Sequence, residues 1–145
     1  MKFLFKKLSI ASDHAGFKLK EKIIKRLKKK KIIVIDLGPN THDPVDYPDF
    51  AKKVARSVAS KKSQIGILVC GSGTGMAMSA NKIKKIRAAV CYNKASTSLS
   101  RKHNNANILA LGSRLTKNST ALTLVNVFLS TKFEGGRHLR RVKKV

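Results

Sequence analysis

Ile65-Gly66-Ile67-Leu68-Val69-Cys70 runs straight into Gly71-Ser72-Gly73-Thr74-Gly75. The first six residues form a continuous apolar run ending on a thiol, the pattern of a strand covered on both faces. The next five alternate glycine with small hydroxyl residues, so the backbone can turn sharply and an anion can approach closely. A helix from Thr74 toward Lys82 is expected next, and its unpaired first N–H groups would face whatever sits above Cys70. That arrangement suits an oxyanion and a reactive thiol. Cys70 and its glycine loop are the first candidate site.

Outward from this stretch, the same alternation repeats along the chain. Further strands are expected at Leu8–Ser12, Ile32–Ile35, Arg87–Cys91 and Ile108–Leu111. A first helix over Phe17–Lys30 carries Phe17, Leu19, Ile23, Ile24 and Leu27 at helical spacing, and a second turns Phe50, Val54, Ala55, Val58 and Ala59 to one side. Further helices are expected at Met76–Ile83, near Lys94–Lys102 and at Ser119–Leu129. Strands alternating with helices imply parallel pairing through right-handed crossovers. The expected fold is a three-layer, doubly wound, Rossmann-like α/β domain with a five-stranded parallel sheet. It should span residues 1–145 as one unit, with 134–145 lacking core periodicity and packing on the surface or on a neighbour.

Composition narrows the class. At 145 residues and 42% hydrophobic content the chain can bury a core without disulfides. Cys70 and Cys91 end separate apolar runs, and with no export signal they read as reduced cytoplasmic thiols. The uncharged run Ser63–Asn81 is broken by glycines and hydroxyls, so no membrane span is expected. The balance of 32 basic and 7 acidic residues, net +25, makes polyanions conceivable partners. The lysines are scattered along the chain and aromatics are only 6%, which leaves few stacking platforms for bases. Solvated helix faces account for that scatter better than a dedicated nucleic-acid site.

Open parallel sheets bind ligands beyond the carboxyl ends of their strands. The polar residues expected there are Asp13 and His14, the Asn40–Tyr47 loop, Cys70–Gly75, Cys91–Asn93 and Gly112–Arg114. Each has a duller reading. Asp13 can cap the first helix, His103 can serve a helix dipole, and Arg137, His138, Arg140 and Arg141 can be an ordinary basic tail. The guanidinium density of that tail also suits a phosphate. The glycine loop lacks the lysine of a P-loop and the spacing of a dinucleotide fingerprint, and no histidine–cysteine spacing suggests a metal.

Taken in order, the motifs are more specific: Ser12-Asp13-His14-Ala15-Gly16, Asp46-Tyr47-Pro48, Cys70–Gly75, Ala80-Asn81-Lys82, Ser100–Asn104, Asn107, Gly112-Ser113-Arg114, Glu134-Gly135-Gly136-Arg137-His138 and Arg141. This set resembles the ribose/galactose isomerase family, most closely its type B ribose-5-phosphate branch. The resemblance implies interconversion of D-ribose 5-phosphate and D-ribulose 5-phosphate without metal or organic cofactor. It makes Cys70 the base between C1 and C2, with Gly71, Gly73, Thr74 and Gly75 supplying backbone donors to the enediolate. His103 would open the furanose ring, assisted by Ser72, where relatives often carry threonine. Asp13, Tyr47 and Asn104 become sugar contacts, and His14, Arg114, Arg137 and Arg141 the phosphate clamp. Some relatives place a glutamate where Met76 stands, leaving Cys70 as the only obvious base here. The family's sites lie between subunits, so a homodimer or homotetramer is implied, with His103 serving the neighbour's Cys70. Competing readings are isomerisation of a six-carbon phosphosugar such as allose 6-phosphate, a phosphosugar sensor without turnover, and a basic nucleic-acid-binding module.

Overall fold

Side-chain alternation along the central strands sorts the core into two halves. The computed structural model describes residues 2–145, and in it five strands pair in parallel in the order β2-β1-β3-β5-β4. These are β1 (Lys7–Ser12), β2 (Ile33–Asp36), β3 (Ile65–Cys70), β4 (Ala88–Val90) and β5 (Ile108–Gly112), alternating with α1 (Phe17–Lys29), α2 (Tyr47–Ala59), α3 (Thr74–Ala80), α4 (Lys94–Asn104) and α5 (Asn118–Ser130). Leu8, Ile10, Ile65, Ile67, Val69, Leu109 and Leu111 face one way, toward α1 and α5. Ala11, Leu68, Cys70, Ile108 and Ala110 face the other, toward α2 and α3. Each large side chain sealed in the half against α1 and α5, such as Phe128 or Ile67, contributes about 1.5–3 kcal/mol by leaving water. The Rossmann-like, three-layer expectation is met.

The order also locates the crevice. The chain leaves β1 toward β2 on one side, while β3 joins β1 on the other, so the strand order reverses between β1 and β3. Asp13 and Cys70 therefore end neighbouring strands at the point where open sheets bind ligands, and the Asp13 N–H donates to Val69 O at 3.1 Å. The loop after β2 is held by a wholly buried lysine. Lys20 Nζ donates to both Asp36 oxygens, at 2.8 and 3.0 Å, and to Pro39 O at 2.9 Å. A buried ammonium is tolerable only with such partners.

Two elements differ from expectation. The third helix begins at Thr74 and stops at Ala80, short of Ile83, because Asn81 turns its amide onto the backbone of Ala88. Asn81 Oδ1 accepts from the Ala88 N–H at 2.7 Å and its Nδ2 donates to Ala88 O at 3.0 Å, which brackets the approach to β4. The tail is also more ordered than its composition suggests. It forms α6 (Arg137–Val142), which packs on α4.

Candidate active site

Cys70 is the last residue of β3, and its side chain is nearly closed off, at 5% exposure. The Gly73 N–H donates to Cys70 Sγ at 3.0 Å, so the loop folds back over the sulfur it follows. Gly73 makes that possible with φ +81°, a conformation L side chains rarely adopt. Thr74 N–H donates to Ser72 Oγ at 3.3 Å. The N–H groups of Gly71, Ser72 and Gly75 have no partner among the described residues. They are free donors for an anion on the loop.

A pocket of about 410 Å³ opens over this loop. Asp13, Tyr47, Cys70 and Ser72 line it, with Gly71 and Gly75 on the floor and Arg114 and Leu115 at the rim. Tyr47 lies so close to Gly75 that a Cβ there would stand 2.5 Å from its ring. Arg114 sits over Gly71, where a Cβ would come 3.2 Å from a guanidinium nitrogen. Asp13 does serve the start of α1: its Oδ1 accepts from the Gly16 N–H at 2.9 Å. That bond leaves its second oxygen for a ligand. Nearby, exposed His14 accepts from the Val45 N–H through Nδ1 at 3.3 Å, which leaves Nε2 for an outside partner.

The remaining sequence candidates lie elsewhere. α4 starts beyond the carboxyl end of β4 and returns to the start of β5, so it runs against the strands over about 16 Å. Its last turn carries His103 and Asn104 to the amino edge of the sheet, opposite Cys70. Arg101, almost fully buried, fixes this turn through bonds to Thr131 O, Asn105 Oδ1 and Ala106 O. Burial, and then the charge of Arg87, pull its guanidinium down to about 10. The tail docks at the same place, through the Glu134 N–H on Lys102 O at 3.1 Å. His103 stacks on His138 with ring centroids 4.2 Å apart and planes 13° from parallel, and His138 Nε2 lies 3.6 Å from Glu134 Oε2. Desolvation lowers the pKa of His138, and the charges of His103, Arg137 and Arg141 add to that while Glu134 opposes it. Although His103, Glu134 and His138 offer ligand atoms within 4.8 Å of one another, near-parallel stacked rings cannot both aim a nitrogen at one ion.

One chain thus gathers Asp13, Tyr47, Cys70, Gly71, Ser72, Gly73, Thr74, Gly75 and Arg114, and holds His103, Asn104, Arg137 and Arg141 apart from them. Tyr92, in the Cys91–Asn93 stretch expected beyond β4, does reach the loop: its Oη donates to Ser72 O at 3.4 Å. One neighbour of the pocket escaped the sequence reading, Leu115, which stands 63% exposed at the rim and carries no chemical signal. Cys91 contributes nothing here. It is 1% exposed, and burial raises its thiol pKa, opposed by the neighbouring hydroxyls of Thr97, Ser100 and Ser96.

A parallel α/β sheet with a thiol and a cradle of free amides at its switch point is the framework of an enzyme for a small, anionic substrate. The chain belongs to the ribose/galactose isomerase family, whose model, described as Ribose/Galactose Isomerase, matches residues 8–145. It is 42% identical to ribose-5-phosphate isomerase B of Escherichia coli strain K12, over 97% of this chain and 94% of that protein. Among solved structures, ribose 5-phosphate isomerase B from Thermotoga maritima superimposes with a TM-score of 0.93 at 51% identity, covering 95% of each chain. Ribose-5-phosphate isomerase B from Mycoplasma genitalium, solved with bound ribulose-5-phosphate, gives 0.92 at 46% identity over 95% of this chain and 92% of its own. No helix among the described residues is long and apolar enough to cross a membrane.

Proposed function

We propose that this isomerase interconverts D-ribose 5-phosphate and D-ribulose 5-phosphate, with Cys70 carrying the proton. The observation that bears most weight is Cys70 Sγ at the floor of the pocket, 3.0 Å from the Gly73 nitrogen and next to unpaired loop amides. From the open-chain aldose, the sulfur anion takes the C2 proton, and the electron pair forms a C1=C2 bond while negative charge moves to O1. The loop N–H groups stabilise that charge. A proton then shifts from O2 to O1, the thiol returns its own proton to C1, and C2 becomes the ketone. Atoms and electrons balance without an added cofactor.

The phosphate anchors the far end of the sugar. His14 and Arg114 approach from the pocket side, and Arg137 and Arg141 complete the clamp from a second copy of the chain. The same copy brings its His103 to open the furanose ring beside Ser72, and its Asn104 to the sugar hydroxyls. Support for an assembly of two or four chains comes from the division of labour within one: α4 carries His103 to the edge opposite Cys70. Asp13 and Tyr47 orient the hydroxyls.

The purified protein should equilibrate the two pentose phosphates, and Cys70→Ala should lose turnover while keeping its fold. Comparing kcat/KM for ribose 5-phosphate and allose 6-phosphate tests the sugar, since an extra carbon displaces the phosphate from the clamp. A higher value for the hexose would reject the pentose assignment.

A further inference from the structure

We propose that the amino edge of the sheet is a binding surface for double-stranded nucleic acid, held through its phosphates irrespective of sequence. The lysines look scattered along the chain, but the fold collects them. In a parallel sheet every turn leading into a strand lies at the same edge. Here the turns into β2, β3 and β4 each bring an exposed lysine pair: Lys30-Lys31, Lys61-Lys62 and Lys84-Lys85. Lys6 and Lys7 open β1 at that edge.

Hydrogen bonds join these turns into one ridge. Gln64 Oε1 accepts from the N–H groups of Lys6 and Lys7 at 2.8 and 3.0 Å, and the Ile33 N–H donates to Lys6 O at 2.8 Å. On the other side Asn107 Nδ2 donates to Lys85 O at 2.8 Å, while its carbonyl accepts from the Gly66 N–H at 2.9 Å. A groove of about 430 Å³ between them is edged by Lys61, Lys85 and Arg87, and another of about 390 Å³ by Lys6, Lys30 and Lys31. Among the described residues no acidic one lines either.

The acidic residues lie at the opposite side. Asp13, Asp36, Asp43, Asp46 and Asp49 follow the carboxyl ends of β1 and β2, and Glu21 sits near the start of α1. Glu134 alone lies near the amino edge, and it faces His138. The molecule is therefore strongly polar in charge, with Asp13, Tyr47 and Cys70 on the acidic side, away from the ridge. One lysine of each pair also adopts a left-handed backbone, with φ +60° at Lys31, +64° at Lys61 and +75° at Lys85. Glycine is the favoured residue there, so these charges stand where local conformation disfavours them.

Dimensions and chemistry favour a duplex. Five strands at about 4.8 Å spacing make a ridge about 19 Å long, which matches roughly five phosphates along one strand of a duplex. Among the described residues Phe3 is the only aromatic one at either groove, so stacking on unpaired bases has no platform. Five neutralised phosphates give a log–log salt slope of about −4.5, and affinity should fall about 500-fold between 50 and 200 mM salt.

The test is fluorescence anisotropy of a mixed-sequence 20-base-pair DNA duplex with the full chain at both salt concentrations. Replacing Lys31, Lys61 and Lys85 together by glycine removes three charges while suiting the backbone. The slope should drop to about −1.8, with thermal stability and isomerase turnover unchanged. A control replacing Lys18, Lys22 and Lys25 by glutamine removes equal charge from the outer face of α1 and should lose less than half as much of the slope. Absence of binding at 50 mM salt overturns the proposal, and so does equal loss in the two variants. Tighter binding to vesicles of equal parts phosphatidylserine and phosphatidylcholine than to the duplex also overturns it, in favour of a lipid surface.

Discussion

Gly73→Ala is the most informative change in the glycine loop. At φ +81° an L-residue is strained by about 1–2 kcal/mol. The added Cβ would also stand 3.0 Å from Leu111 C and 3.3 Å from Gly112 N, backbone atoms of β5 that cannot step aside. At about 3–4 °C per kcal/mol for a domain of this size, Tm should fall by about 3–8 °C. The same shift pulls the Gly73 N–H off Cys70 Sγ, now 3.0 Å away. A hydrogen bond to a charged group is worth about 1.5–3 kcal/mol, so kcat should fall about 10- to 150-fold. Thermal melts and steady-state turnover of ribose 5-phosphate read the two effects separately. Gly75→Ala is the internal comparison, since its clash is with the exposed Tyr47 ring, at 2.5 Å, and should raise KM with little change in Tm. If Gly73→Ala kept parental Tm and kcat, the turn would not be what holds the sulfur, and the reasoning would fail.

Iodoacetamide should alkylate Cys70, with protection by ribose 5-phosphate, and leave Cys91 unmodified in the folded protein; peptide mass spectrometry would read a reversed preference as contrary. Because His138 titrates below its ordinary 6.5 in the fold, the unfolded chain binds more protons there; stability should hold above pH 6.5 and decline as pH falls through it. Melts from pH 7.5 to 5.5 should show a smaller decline for His138→Gln than for the parent. Lys20→Met strands the Asp36 carboxylate and Pro39 O, and urea unfolding should register about 2–3 kcal/mol of lost stability, moderated by the exposure of Asp36.

Continuous apolar runs made the five strands legible, and Ile65–Cys70 was placed to the residue because glycine follows its last member. Strand order was not legible, since hydrophobicity says a strand is buried but not beside which neighbour. The end of α3 was misplaced because Asn81 reaches across to Ala88, a contact seven residues away that leaves no periodic trace. α6 was missed for a similar reason: His138 alone among its six residues is buried, so the helix shows no apolar stripe.

The candidate site was half readable. Residues just after a strand fall at the carboxyl edge by topology alone, which caught Asp13, Cys70 and Arg114 together. His103 belongs to the end of a helix, and a helix returning antiparallel to the sheet delivers its last turn to the other edge. The same geometry explains the charge. Lysines distant in sequence converge because each precedes a strand of one parallel sheet.

Hydrogen exchange at C1 of ribulose 5-phosphate in deuterated water, followed by proton NMR, addresses Cys70 most directly, since this open-chain ketose reaches the base without ring opening. The parent should exchange one C1 hydrogen, His103→Asn should keep that exchange while losing most turnover of ribose 5-phosphate, and Cys70→Ala should show none. Exchange at the parental rate in Cys70→Ala would contradict the assignment of the proton to that sulfur.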